Sequence, residues 1–266
     1  MGTSPVYDEI GRSYTVTRRP DPRIARAIDA ALGDARSVVN VGAGAGSYEP
    51  SHLRVTAVEP SPAMIRQRPH GAAPVVQAVA EHLPFADASF DAALAVLTLH
   101  HWTDRAGGLA ELARVARRRV VILTWDPVCR DLFWLTTEYL PAIVDLDLPR
   151  FPRLPDIARC FTAMDAHPVL VPHDCVDGFL GAFWRRPDAY LDPGVRRGIS
   201  GFTQLPSGAL DEGLARLAAD LDEDRWDARF GHLRTQDNAD LGYRLLVAEP
   251  RRPRPSARLR RGPLTP

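Results

Sequence analysis

Between Asp21 and Trp125 the chain alternates short apolar runs with segments of helical periodicity, an alternation that few folds can accommodate. Ile24, Ala27, Ile28, Ala31 and Leu32 fall on one face of a helix predicted over Asp21–Leu32, with Pro22 at its start and Gly33 just past its end. Val38–Val41 and Val55–Val58 read as short buried strands, and Pro62–Arg68 as a helix that Ser61 can cap. Val75–Ala80 gives a third strand. Phe90–Leu99, "FDAALAVLTL", is almost continuously apolar, as expected of a strand covered on both faces. A helix over Leu109–Ala116 leads to a fifth strand, Arg119–Trp125. Strands and helices alternating at this spacing form βαβ units, so the expected fold is α/β: a doubly wound, mostly parallel, seven-stranded Rossmann-like sheet.

After Asp126 the pattern changes. The stretch from Pro127 to about Arg186 is rich in proline and aromatics, including Phe133, Trp134, Tyr139, Phe151, Phe161, Phe179, Phe183 and Trp184. It reads as a cap or lid inserted after the fifth strand, with a strand returning to the sheet at Val169–Val171. Leu210–Leu221 is an amphipathic helix and Tyr243–Pro250 a final strand. The expected organisation is a cofactor-binding half over 1–126, a cap over 127–200, completion of the sheet over 201–250 and a disordered basic tail over 251–266. That tail holds six arginines and four prolines and no apolar face.

Composition narrows the chemistry. The formal net charge is zero, which favours neither nucleic acid nor an anionic membrane as partner. No apolar run has the length of a membrane span, and the first residues lack the apolar core of a signal peptide. Cys129, Cys160 and Cys175 form no C-x-x-C pair, which fits a reducing, cytoplasmic setting without a zinc site. All 33 basic residues are arginine, so Schiff-base chemistry and a P-loop lysine are excluded. His167, His173, Asp174 and His232 show no metal-ligand spacing and read as surface residues, so no metal is expected.

The stretch "VVNVGAGAGSYEP", Val38–Pro50, decides what the sheet binds. Gly42, Gly44 and Gly46 read G-x-G-x-G, and Ser47 stands where a dinucleotide fingerprint needs its last glycine. Glu59, ending the second strand, can accept hydrogen bonds from both hydroxyls of a ribose. Together, "NVGAGAG", "VEPSPAMI" and "VAEHLPFADASFDAALAVLTLHHW" resemble the class I S-adenosylmethionine-dependent methyltransferases, in particular their small-molecule branch. The resemblance covers roughly Ser37–Trp125.

The resemblance implies S-adenosylmethionine as cofactor. Gly42, Gly44 and Gly46 would pass close to its methionine part and Glu59 would hold the ribose. Met64 would pack on the adenine, and Ala80 and Glu81 would line the adenine edge. Pro60 and Leu97 complete the expected contacts. The segment Tyr7–Pro20 also looks like the family's leading segment, with Tyr14 and Arg19 closing over the cofactor and the arginine near its carboxylate. This chain departs from the family pattern at Asn40, where an aspartate usually precedes the first glycine, and at Val79, where one usually precedes the A-E pair. Both point to altered cofactor affinity.

Methyl transfer needs a positioned nucleophile, water excluded, and a base only where the nucleophile must lose a proton. His100 and His101 follow the fourth strand at the carboxyl edge, where one of the two would face the pocket and accept a proton. The alternative for either is a structural histidine capping the strand end. Asp126 is a further candidate at the rim. The aromatic cap favours a small apolar or aromatic methyl acceptor that supplies an oxygen, nitrogen or carbon nucleophile. Three other readings compete: an S-adenosylmethionine-binding sensor or non-methylating enzyme, a nicotinamide oxidoreductase disfavoured by Ser47, and a nucleic-acid methyltransferase disfavoured by neutral charge. Oligomeric state is not readable from the sequence.

Overall fold

The structure is a computed structural model, and it describes residues 18–251. Tyr14 and residues 252–266 therefore lie outside the described residues. Helix α1 (Pro22–Leu32) starts where the Asp21 side chain accepts from the Arg23 amide and stops at Gly33, whose φ of +59° lets its N–H reach the Ala30 carbonyl. Strands β1 (Ser37–Val41) and β2 (Arg54–Val58) lead to helix α2 (Pro62–Arg66), which is capped as expected by Ser61 but ends two residues earlier than predicted. Strand β3 keeps only Val75–Val76 of the predicted run. Strand β4 (Phe90–Val96), helix α3 (Arg105–Val115) and strand β5 (Ala116–Trp125) follow. Helix α3 is capped by Asp104, whose side chain accepts from the Gly107 amide, and starts four residues before the predicted start.

Helices α4 (Pro141–Asp147) and α5 (Leu154–Ala158) then precede β6 (Phe161–Pro168) and the short β7 (Val171–Pro172). Helices α6 (Pro193–Arg197), α7 (Ser200–Thr203), α8 (Ser207–Asp222) and α9 (Arg225–Phe230) come next, then β8 (Asn238–Ala239) and β9 (Tyr243–Pro250). The seven-stranded sheet runs β3-β2-β1-β4-β5-β9-β6, with β1 to β5 parallel and β9 antiparallel to both β5 and β6. The strand order reverses between β1 and β4, which opens a crevice beyond their carboxyl ends.

Alternate residues of each central strand enter two separate cores. Val39, Val41, Ala93, Ala95, Val120, Ile122 and Leu246 pack on α3 residues such as Leu112 and Val115. Val38, Leu94, Val121, Leu123 and Leu245 face Ile24, Ile28 and Leu32 of α1 and the aromatics of the cap. Burial on both faces explains the unbroken apolar runs. At the amino end of the sheet, Asp91 accepts from the Arg36 and Ser37 amides and from Arg117, so the "SFD" segment fastens β1 to β4.

Two expectations need correction. The predicted fourth strand stops at Val96, because Leu97 takes a φ of +49° and the chain winds into a 3-10 turn over Leu99–His101. The strand that rejoins the sheet is β6, at Phe161–Pro168, whereas Val171 belongs to the two-stranded β7–β8 pair. Within 201–250, β9 enters the sheet between β5 and β6, and α8 and α9 pack with the cap. No helix among the described residues is long and apolar enough to cross a membrane, and among them no group of three His, Cys, Asp or Glu side chains gathers to hold a metal.

Candidate active site

The glycine loop leaves the end of β1 and folds back over β2. The Gly42 and Ala43 amides both donate to the Val58 carbonyl, at 2.9 and 3.0 Å. Gly42, Gly44 and Gly46 have φ values of +70°, +53° and +97°, a region unfavourable to side chains. A Cβ on Gly42 would also lie 2.0 Å from Thr98 Oγ1, so the loop can rest on the end of β4 only as glycine.

Glu59 is buried at the tip of β2. Its carboxylate accepts from the Gly44 amide at 2.8 Å and from the Ser61 amide at 2.9 Å. Burial pushes its pKa up, and those two amides and the Arg68 charge oppose the rise. A carboxylate bonded to a loop amide puts negative charge where an anion cradle would need positive, so the loop does not suit a pyrophosphate. It suits a ligand with hydroxyl donors. Asn40 is also buried: its Nδ2 donates to Glu49 Oε1 at 3.2 Å while its Oδ1 has no partner. That orphaned oxygen, the glycine loop and the buried Glu59 together fit a nucleoside carrying hydroxyl and amino donors. Beneath the loop, Arg68 pairs with Glu49 at 2.7 Å and also donates to the Gly44 and Ala73 carbonyls, a support with no counterpart in the motif reading.

The other expected cofactor residues divide. Met64 is buried under the loop, its Cε 3.3 Å from where a Cβ on Gly44 would stand. Ala80 is buried with Leu83, whereas Glu81 is half-buried and accepts from the Asp104 amide at 3.0 Å, tying its loop to the start of α3. Pro60 is exposed and its carbonyl accepts from Gln77. Arg19 is exposed. Its neighbour Arg18 turns inward instead, pairing with buried Asp177 at 2.6 Å. Val79 is 45% exposed.

Leu97, its amide donating to the Leu123 carbonyl, lines a second space under the cap, and the next residue, Thr98, lies against Gly42 of the loop. That cavity encloses about 890 Å³, its solvent-facing mouth included, and is lined by Leu97, Trp125, Phe133, Phe151, Phe179 and Tyr243 among others. His100 also lines it, stacked on Phe151 at 4.3 Å with its Nδ1 buried and unpartnered. Of the two histidines, His100 is the one found in this lining, and on the 3-10 turn the two rings lie 3.8 Å apart. Burial drives the pKa of His100 well below its usual value, helped by His101 and by the Arg150, Arg18 and Arg105 charges. The ring is therefore neutral throughout the physiological range. Asp126 caps the turn at Pro127 and accepts from the Val128 amide.

Asp147, at the end of α4, also lines the cavity. Burial raises its pKa to about 6, against the lowering effect of Arg150. No motif marks it in the sequence.

An open α/β sheet with a carboxylate and a glycine loop at its switch point defines a nucleoside-binding protein of the Rossmann-like class. The methyltransferase domain family matches residues 39–124. A crystal structure from Anabaena variabilis, assigned as a methyltransferase of an antibiotic biosynthesis pathway, is 32% identical, covers 87% of this chain and 98% of its own, and has a TM-score of 0.80. The chain belongs to the class I S-adenosylmethionine-dependent methyltransferases. The family's cofactor is S-adenosylmethionine. A demethylmenaquinone methyltransferase of Corynebacterium urealyticum is 31% identical over 42% of this chain, and one of Corynebacterium kroppenstedtii 28% over 51%. The chain spans 54% and 65% of the length of these two relatives.

Proposed function

We propose that the protein transfers a methyl group from S-adenosylmethionine to a nucleophilic atom of a small, largely aromatic organic molecule held under the cap. The observation that carries this reading is the cavity lined by aromatics at the end of β4, where Leu97 lines it and the next residue, Thr98, lies against Gly42 of the glycine loop. The cavity lining mixes aromatic and aliphatic side chains with a few polar ones, the make-up of a small-molecule site. When bound, the cofactor supplies an activated methyl group on a sulfonium. Glu59 accepts from the ribose hydroxyls, Met64 and Ala80 offer apolar surface to the adenine, and the glycines let the backbone come close to the methionine part. Asn40 Oδ1 accepts from a donor of the cofactor at the loop.

In the cavity the residues orient and desolvate. Trp125, Phe133 and Phe151 exclude water and fix the plane of the methyl acceptor, which brings its nucleophile to the Leu97 side. His100, neutral and with an unpartnered Nδ1, hydrogen-bonds the bound molecule; its depressed pKa makes it a weak base, suited to orienting the nucleophile.

Calorimetry with S-adenosylhomocysteine and NAD tests the cofactor assignment. Binding of the first alone, weakened at least about ten-fold in Glu59→Ala, is expected, because a carboxylate–hydroxyl contact contributes about 1.5–3 kcal/mol. Binding of NAD alone would overturn the assignment.

A further inference from the structure

Charged side chains are few along the acceptor cavity, and they are engaged unequally. Arg18 is held by Asp177, and Arg130 lies exposed at the rim, 3.8 Å from Asp131. Among the described residues Asp147 is the one acidic side chain of the lining, and its carboxylate has no hydrogen-bond or ion-pair partner there. Arg150, one turn on, does not take that place: its side chain donates to Gln204 Oε1 at 2.5 Å, while its backbone amide donates to the Asp147 carbonyl at 2.9 Å. A half-buried carboxylate left without donors beside Phe151 and Tyr243 is an acceptor waiting on the ligand's side of the cavity.

We propose that Asp147 receives the hydrogen-bond donor of the methyl acceptor, so that the molecule methylated carries an O–H or N–H on an aromatic skeleton and presents it to this carboxylate. The proposal rests on the functional reading above and adds the substrate's chemistry to it. When the nucleophile must lose its proton, the proton leaves the heteroatom for an Asp147 oxygen. The bonding pair stays on the heteroatom, which thereby becomes the nucleophile, and no other group changes charge. The raised pKa of Asp147 brings its basicity closer to that of such a donor than an exposed aspartate would.

Besides Arg150 on its own turn, the titratable or charged groups that share this lining with Asp147 are Tyr243 from β9, His100 after β4, Cys129 and Arg130 after β5, and Arg18 ahead of α1. Burial pushes Tyr243 and Cys129 up and drives His100 well down, whereas it carries Asp147 to about 6. A pH effect there belongs to Asp147.

The test compares 2-naphthol with its methyl ether, 2-methoxynaphthalene, by calorimetry on the full chain with S-adenosylhomocysteine present. At pH 7.5 the naphthol should bind about ten-fold more tightly, the usual effect of a charge-assisted hydrogen bond. That preference should shrink as pH falls through about 6 and fall below about two-fold in both Asp147→Ala and Asp147→Asn. Equal affinity for the two probes in the unaltered protein overturns the proposal. So does a preference that survives both Asp147 variants and disappears in His100→Phe, which would make His100 the anchor. The S-adenosylhomocysteine titration on the same samples reads the cofactor assignment separately, so the two readings fail independently.

Discussion

A carboxyl group whose pKa rises from 3.8 in the unfolded chain to about 6 in the fold holds its proton more tightly when folded. Stability from Asp147 is therefore full below the lower value and is lost as pH rises through the upper one. The shift of about 2 units sets an upper bound of about 3 kcal/mol on that loss. An asparagine in its place would not titrate and would still need to solvate a polar amide. We expect Asp147→Asn to be more stable than the parent by about 1–2 kcal/mol at pH 8 and equal to it at pH 4, read from urea unfolding. An equal gain at both pH values would mean that ionisation is not the cause. Asp21 behaves in the opposite sense. Burial alone would raise its pKa, but the Arg23 side chain and the Arg23 and Val176 amides lower it to about 2. Its contribution is present above about 4 and lost as pH falls towards 2. A stabilising carboxylate holds the start of α1, and a destabilising one lines the cavity. Cofactor candidates such as Gly42 and Glu59 were legible because a loop and a strand end dictate them locally. Asp147 was not, since only the packing of α4 against the cap segments Leu135–Tyr139 and Ser200–Thr203 brings it to the cavity.

Elements show the same division. Three helix ends could be read because their chemistry is local: Pro22 and Gly33 bound α1, and Ser61 opens α2. Strand β6 could not. It is an edge strand whose residues beyond Phe161 are all exposed or half-buried, and it carries no apolar run to announce it. The nearby apolar residues Val169 and Val171 are buried in the cap core, which is why they read as the strand. The cap is fastened to the glycine-loop side by a small buried network. Tyr48, with a φ of +61°, donates from its hydroxyl to Asp177 at 2.8 Å and accepts from the Asp21 amide at 3.2 Å. Arg18 binds the same Asp177 through two nitrogens, and the Val176 amide donates to Asp21. Tyr48→Phe leaves the Asp21 amide unsatisfied and removes one donor from a buried carboxylate. A loss of about 1–3 kcal/mol is expected, with faster amide exchange over residues 174–177. Unchanged exchange there would show that the cap segment is held by packing alone.

Cap and sheet share one core, and this bears on how the whole chain unfolds. Trp134 meets Trp226 and Tyr190 edge-on, at 5.3 and 5.8 Å between ring centroids, and its indole N–H donates to the Trp184 carbonyl. The same contiguous cluster reaches Ile28 of α1 and Leu123 of β5, so no apolar boundary separates the cap from the Rossmann-like sheet. The division drawn at residue 126 from composition is then a change of sequence character with no break in packing, and the cap should not melt first. Trp102 and Trp125 report on the sheet side, and Trp134, Trp184 and Trp226 on the cap. Tryptophan fluorescence and far-ultraviolet circular dichroism should therefore give coincident urea transitions. Trp226, fully buried against Trp134 and Phe230 on the cap side of that core, should cost about 3–5 kcal/mol when replaced by alanine. In a single cooperative unit that loss lowers both midpoints together. An early fluorescence transition with the circular dichroism midpoint unmoved would instead mean that the cap unfolds on its own, leaving the cofactor half folded beneath it.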